Sequence, residues 1–221
     1  LRKHLMYGGN VTGAQVIQFI GSYMDNILIG WFWGRGVLGF YDRAYSLFMA
    51  PFTHMTNPIA ATIIPLLSRI EEPDRYRSLY LRVLEKFFLI VAPIAFLISI
   101  SDWLIVLLMG DKWLETGRII SLLALVAVTE PIKHGVGWLF ITQNRVDQHL
   151  RVNLLNSIIS IAGVAIALPF GALAVALAHS IISLLIKTPL AVWIVGQKGP
   201  VSARDHYSVL LPFLGLGFAI A

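Results

Sequence analysis

The chain has 221 residues, of which 57% are hydrophobic and only 13% charged, and it carries a formal net charge of +5. A soluble domain carries about 25% charged residues, so a mean hydropathy of +0.75 excludes a water-covered surface and makes lipid the solvent. The absence of cysteine excludes a disulfide framework and a thiolate metal site.

The apolar runs are continuous rather than alternating, which predicts spanning helices and not barrel strands. The fold class is therefore all-α, a polytopic transmembrane helix bundle. Leu1-Arg-Lys-His resembles the basic start of a signal peptide, but no small-residue cleavage site follows and Asp25 interrupts the apolar stretch, so the segment is read as mature. The sequon Asn10-Val-Thr12 falls on the side predicted to be cytoplasmic, where it would stay unglycosylated.

The first span is predicted over residues 11–33, with Asp25 inside it between Tyr23 and Asn26. Gly30 and Gly34 allow close helix approach, and Gly34, Gly36 and Gly39 predict a tight turn. The second span covers 39–67. Its Pro51, Pro58 and Pro65 recur every seven residues and so lie on nearly one face, where each can bend the helix. A charged loop, Arg69 to Leu79, leads to a third span over 80–100. Leu104–Met109 is too short to cross and reads as an interfacial turn of helix. The fourth span, 117–142, contains Glu130, Lys133 and His134, which share one helix face through i, i+3 and i, i+4 spacing.

Val152 to Ile186 contains no charged residue. As a single helix it would reach roughly 52 Å, against a hydrocarbon core of about 30 Å. It must fold back, and Pro169-Phe-Gly171 is the predicted turn. The fifth and sixth spans are therefore 150–168 and 172–195, with Lys187 inside the sixth, and a truncated seventh starts at 208. All of these form a single membrane domain, 1–221.

Basic loops set the orientation. With the N-terminus inside, eleven Lys and Arg face the cytoplasm and four (Arg35, Arg43, Lys112 and Arg118) face out. The net charge thus reflects topology and possible retention of anionic lipid, and not a nucleic-acid partner. Trp31, Trp33, Trp103 and Trp113 are predicted at the outer boundary, with Trp138 and Trp193 toward the inner one.

A charge inside the bilayer costs about 2.5–3.5 kcal/mol on insertion scales and normally faces a partner or a wet cavity. The candidate cavity-binding residues are accordingly Asp25, Glu130, Lys133, His134 and Lys187. Glu130, Lys133 and His134 read either as a polar cavity wall or as a self-neutralising packing pin. Asp25 reads as a cavity or a structural carboxylate, and Lys187 as a cavity residue or one that snorkels. His54 and His179 read as structural. No His-Glu-x-x-His, Gly-x-Ser-x-Gly or Asp-rich motif is present, so no catalytic residue, metal or cofactor is assigned.

Asp25-Asn-Ile-Leu-Ile-Gly30, Leu38-Gly-Phe-Tyr41-Asp-Arg-Ala44, Pro51, Pro65-Leu-Leu-Ser68 and Gly110-Asp-Lys-Trp113 follow one another in an order that resembles the polysaccharide transporter (oligosaccharide flippase) family. That family belongs to the multidrug/oligosaccharidyl-lipid/polysaccharide exporter superfamily. The resemblance implies about one lobe of a two-lobed exporter, the second, with the N-terminal lobe outside this chain. It further implies a multi-pass protein of the bacterial inner membrane, with membrane lipids and a lipid-linked oligosaccharide for O-antigen, capsule or exopolysaccharide as partners. Movement would be by alternating access, with coupling to H⁺ or Na⁺ left open. A multidrug/cation antiporter of the same superfamily and a membrane enzyme of polysaccharide assembly are the alternatives.

Overall fold

The computed structural model describes residues 2–220, with side chains described over 23–213. The sequon at Asn10 and the basic Arg2 and Lys3 lie outside the described side chains. The described residues are almost wholly helical, without strands.

Helix α1 (Arg2–Leu67) is two arms joined at Gly34, whose φ of 81° leaves the helical region. Glycine takes that conformation without a Cβ clash. The arms fold back on one another. Tyr41 donates to Asp25 at 3.0 Å and the Asn26 side chain to Asp42 at 2.9 Å, although residues sixteen apart on one straight helix would be roughly 24 Å apart. Gly30 permits this approach, because a Cβ there would sit 2.9 Å from Leu38 Cδ2. Gly36 and Gly39 remain helical, so Gly34 alone makes the turn. Pro51, Pro58 and Pro65 all lie within the continuous second arm, which keeps helical backbone angles past each of them.

The second arm buries one stripe, Tyr41, Ala44, Phe48 and Phe52, at the spacing of a helix face. Helix α1 as a whole packs against α4 (Leu114–Ala127), α5 (Glu130–Thr142) and α6 (Val146–Ala167). Helix α2 (Pro73–Ser99) contributes Tyr80, Leu84, Phe87 and Phe88 to the same core. At Ile100 the chain bends by 71° into α3 (Ser101–Met109). The short apolar segment expected as a turn of helix is helical and extends to nine residues, held because Ser101 donates to the Gly117 carbonyl at 3.0 Å.

Helices α4 and α5 meet at a 51° bend. Pro131 lacks the N–H that would continue the α4 ladder, and Thr129 turns back to donate to the Val126 carbonyl at 2.8 Å. The charge-free run reverses through a tight turn at Leu168–Phe170 and Gly171, whose φ is 96°. After it come α7 (Ala172–Ile182), a π-helical turn at Ser183–Lys187, α8 (Thr188–Gly196) and finally α9 (Ala203–Ile220).

Two stretches, Val146–Phe170 and Ala172–Gly196, are each long and apolar enough to cross a membrane, and the bent pairs α2–α3 and α4–α5 qualify when each is counted as one span. The surface agrees with a lipid solvent: Trp31 is 83% exposed, Phe170 77% and Ile166 74%, whereas Glu130 is 1% exposed. In water such a distribution would be inside out.

The bundle has two distinct ends. At one, Trp33 Nε1–H donates to the Leu168 carbonyl at 2.7 Å, and Phe40 meets Trp113 edge-on at 5.9 Å. At the other, Tyr76 and Thr142 hydroxyls lie 2.6 Å apart, and Arg77 forms a bidentate pair with Asp205. There Asp205 also accepts from the Ser202 N–H at 2.9 Å, which makes Ser202 and Asp205 a capping box at the start of α9. The paired guanidinium holds the Asp205 carboxyl below the usual carboxylate range. Arg145 closes the same end. Its guanidinium donates to the carbonyls of Ile194, Val195 and Lys198, satisfying the C-terminal turn of α8.

Candidate functional site

A cavity of about 880 Å³ lies between both arms of α1 and helices α5, α6, α7 and α8. Small-molecule sites span about 300–1,000 Å³. Polar side chains line much of its wall, although two of the stretches that build it, Val146–Phe170 and Ala172–Gly196, are apolar enough to cross a membrane. Such a placement is expensive in a membrane, which makes the cavity the candidate site.

Glu130 is the first residue of α5, directly after the 51° bend. The start of a helix carries a partial positive charge that favours a carboxylate. Lys133 Nζ donates to Glu130 Oε1 at 2.6 Å. His134 Nε2 lies 3.5 Å from Glu130 Oε2 but without hydrogen-bond geometry, and it has no other hydrogen-bond partner among the described residues. The i, i+3 and i, i+4 face anticipated in the sequence is therefore one ionic group whose inner member is sealed and whose two outer members remain about one-third exposed.

Lys187 approaches from the opposite side. It closes the π-helical turn, and its Nζ donates to Ser160 Oγ at 2.9 Å. Helical insertions of this kind occur frequently at functional positions. Asp25 enters from the first arm of α1. It accepts from Tyr41 and from the Asn26 N–H at 2.9 Å, so both carboxylate oxygens are occupied.

All five candidate residues named from the sequence line this one cavity. His179 lines it as well, packed edge-on against Tyr45 at 5.9 Å, whereas His54 lies on an exposed face elsewhere. Two groups of lining residues escaped the sequence reading. Asp42, inside the second predicted span but not singled out there, faces Asn26 across the hairpin. More extensive is a stripe on α6: His149, Asn153, Asn156, Ser157 and Ser160. Their spacing of four, three, one and three residues places them on one helix face, a signal visible in the sequence but carried by amides and hydroxyls instead of charges. The Asn156 side-chain oxygen is buried without a hydrogen-bond partner among the described residues. Amides and hydroxyls both donate and accept, which suits a ligand rich in hydroxyl groups. Among the described residues no three His, Asp or Glu side chains converge as metal ligands.

Comparison with known sequences gives a consistent assignment. Residues 1–118 match the family described as polysaccharide biosynthesis protein. The chain is 25% identical to the teichuronic acid biosynthesis protein TuaB of Bacillus subtilis (strain 168), over 66% of this chain and 31% of that protein. It is 23% identical to the lipopolysaccharide biosynthesis protein WzxC of Escherichia coli (strain K12), over 95% of this chain and 44% of that protein. It is 24% identical to the amylovoran biosynthesis protein AmsL of Erwinia amylovora, over 96% of this chain and 56% of that protein. The chain thus spans from about a third to just over half the length of these curated relatives. No solved structure matches it.

Proposed function

We propose that this chain, which belongs to the polysaccharide biosynthesis protein family, forms the second lobe of a flippase that carries a lipid-linked oligosaccharide across a bacterial inner membrane. The cavity wall is the observation that carries the reading: one ionic group, a second lysine and a row of amides and hydroxyls enclosed by lipid-facing helices. In this mechanism the α6 stripe takes sugar hydroxyls, and Lys133 and Lys187 balance acidic sugars or a phosphate. The lipid tail stays in the bilayer while the polar headgroup passes through the cavity. The bends at α4–α5 and α2–α3 supply the flexing elements for alternating access. No step of this transport breaks a covalent bond, so the protein acts as a carrier and not as an enzyme.

The basic end, with Arg69, Arg145 and Lys198, faces the cytoplasm in this reading, as the positive-inside rule requires. The relatives named for teichuronic acid, lipopolysaccharide and amylovoran biosynthesis support a glycan cargo. A small-cation antiporter is the less favoured reading, because the carboxylates of the wall, Asp25, Asp42 and Glu130, are accompanied by two lysines, whereas a cation site calls for carboxylates alone.

The test replaces Asn153 and Asn156 together by Leu in the full-length protein, expressed in cells lacking their own copy. Surface polysaccharide should fall to background at unchanged protein level. Undiminished polysaccharide would remove the α6 stripe from the site, and efflux of cationic dyes by the unmodified protein would favour the antiporter instead.

A further inference from the structure

A second depression, of about 660 Å³, lies outside the central cavity, where the end of α1 meets the first three turns of α2. Arg69, Arg75 and Arg82 all border it. Arg75 and Arg82 are seven residues apart and so share one face of α2, while Arg77 points elsewhere and is satisfied by Asp205. The three groove arginines are exposed, and among the described residues no ion pair joins any of them to a carboxylate. That is notable because Glu71 and Glu72 border the same groove. The start of α2 adds to this positive field: its first turn has no side-chain cap. Leu66, Ile70 and Leu79 provide an apolar edge.

We propose that this groove binds the headgroup of an aminophospholipid from the surrounding membrane. The arginine forks receive the phosphate, since guanidinium groups match phosphate oxygens bidentately. Glu71 and Glu72 receive the primary ammonium group, and the apolar edge receives the first carbons of the acyl chains. The arrangement of both signs selects among phosphates. A polyprenyl diphosphate or inorganic phosphate would meet two carboxylates with no cation to offer them, and a choline headgroup has no N–H to donate. The groove is separate from the transport cavity, so the proposal stands or falls independently of the cargo.

Native mass spectrometry of the full-length protein, released from micelles doped with one lipid at a time, tests it. Phosphatidylethanolamine should remain bound several-fold more than phosphatidylcholine or phosphatidylglycerol. Arg75→Gln with Arg82→Gln should weaken its retention by roughly tenfold, the loss of about one charge-assisted hydrogen bond. Glu71→Gln with Glu72→Gln should abolish the preference over phosphatidylcholine. All four side chains are exposed, so the variants should fold. Equal retention of the three lipids, an unaltered preference in either double variant, or displacement by inorganic phosphate or a polyprenyl diphosphate would each overturn the assignment.

Discussion

Removing Lys133 alone should harm the protein more than removing it together with Glu130. Glu130 is 1% exposed, and the Lys133 ammonium at 2.6 Å supplies the one hydrogen bond its carboxylate accepts among the described residues. Stranding a fully buried charge in this way costs about 3–5 kcal/mol. The Lys133 side chain is 34% exposed to the cavity, so water there offsets part of that cost, leaving roughly 2 kcal/mol. For a chain of this size each kcal/mol moves the melting temperature by about 2–4 °C. Lys133→Ala should therefore melt roughly 4–8 °C lower in detergent, whereas Glu130→Ala with Lys133→Ala should recover most of the loss, because the coupling disappears with both partners. Surface polysaccharide should be lost in both variants. That combination separates a cargo role from a packing pin, which predicts transport recovering with stability. A Lys133→Ala protein that melts like the wild type would refute the energetic argument, and a fully active double variant would refute the cargo role.

Two further outcomes concern the frame around the cavity. The Asp205 carboxyl is held below its ordinary range chiefly by its hydrogen bond to Arg77, so its contribution is present above the usual carboxylate range and is lost as pH falls below it. Melting temperature should decline on acidification below about pH 4, and Asp205→Asn should flatten that decline. The half-exposed Arg77 keeps the effect small. Gly117 abuts the backbone of α3, where a Cβ would lie 2.6 Å from Asp102 Cα. Gly117→Ala should therefore splay α3 from α4 and reduce the yield of folded protein, while Gly137→Ala, whose nearest neighbour would be His149 at 3.8 Å, should fold normally.

The sequence announced its solvent and its ionic groups more clearly than its polar uncharged ones. Charges in apolar runs are costly, so Asp25, Glu130, Lys133 and Lys187 stand out singly, and all of them border one cavity. The α6 stripe hid because asparagine and serine are cheap enough to scatter through membrane helices, and only their shared phase gives them away. The same bias concealed Arg145. Counted as one more basic loop residue, it instead satisfies three carbonyls at the end of α8, a role that depends on how α6 and α8 dock. Prolines were legible only by context. Pro131 coincides with a 51° bend, but Pro51, Pro58 and Pro65 sit inside an unbroken helical arm, where neighbouring helices can absorb a missing hydrogen bond.

The break points of the helices and the polar wall of the cavity have a common physical origin. An interrupted helix exposes backbone groups that hydrocarbon cannot satisfy, so interruptions at membrane depth are tolerated only inside the protein or beside a wet space. Glu130 and Lys133 begin a helix at the α4–α5 bend, and Lys187 ends the π-helical turn just before Pro189. The buried hydroxyls of Ser183 and Thr188 flank that turn without hydrogen-bond partners among the described residues. A ligand drawn to the lysines would therefore pull on the segments with the weakest backbone ladder. Straightening the π-helical turn by deleting one residue between Ser183 and Lys187 would rotate Lys187 by about 100°, away from Ser160. If binding and bending are joined here, that deletion should abolish transport while α7 and α8 still insert. Retained transport would show that the lysine's position and the helix break serve unrelated ends.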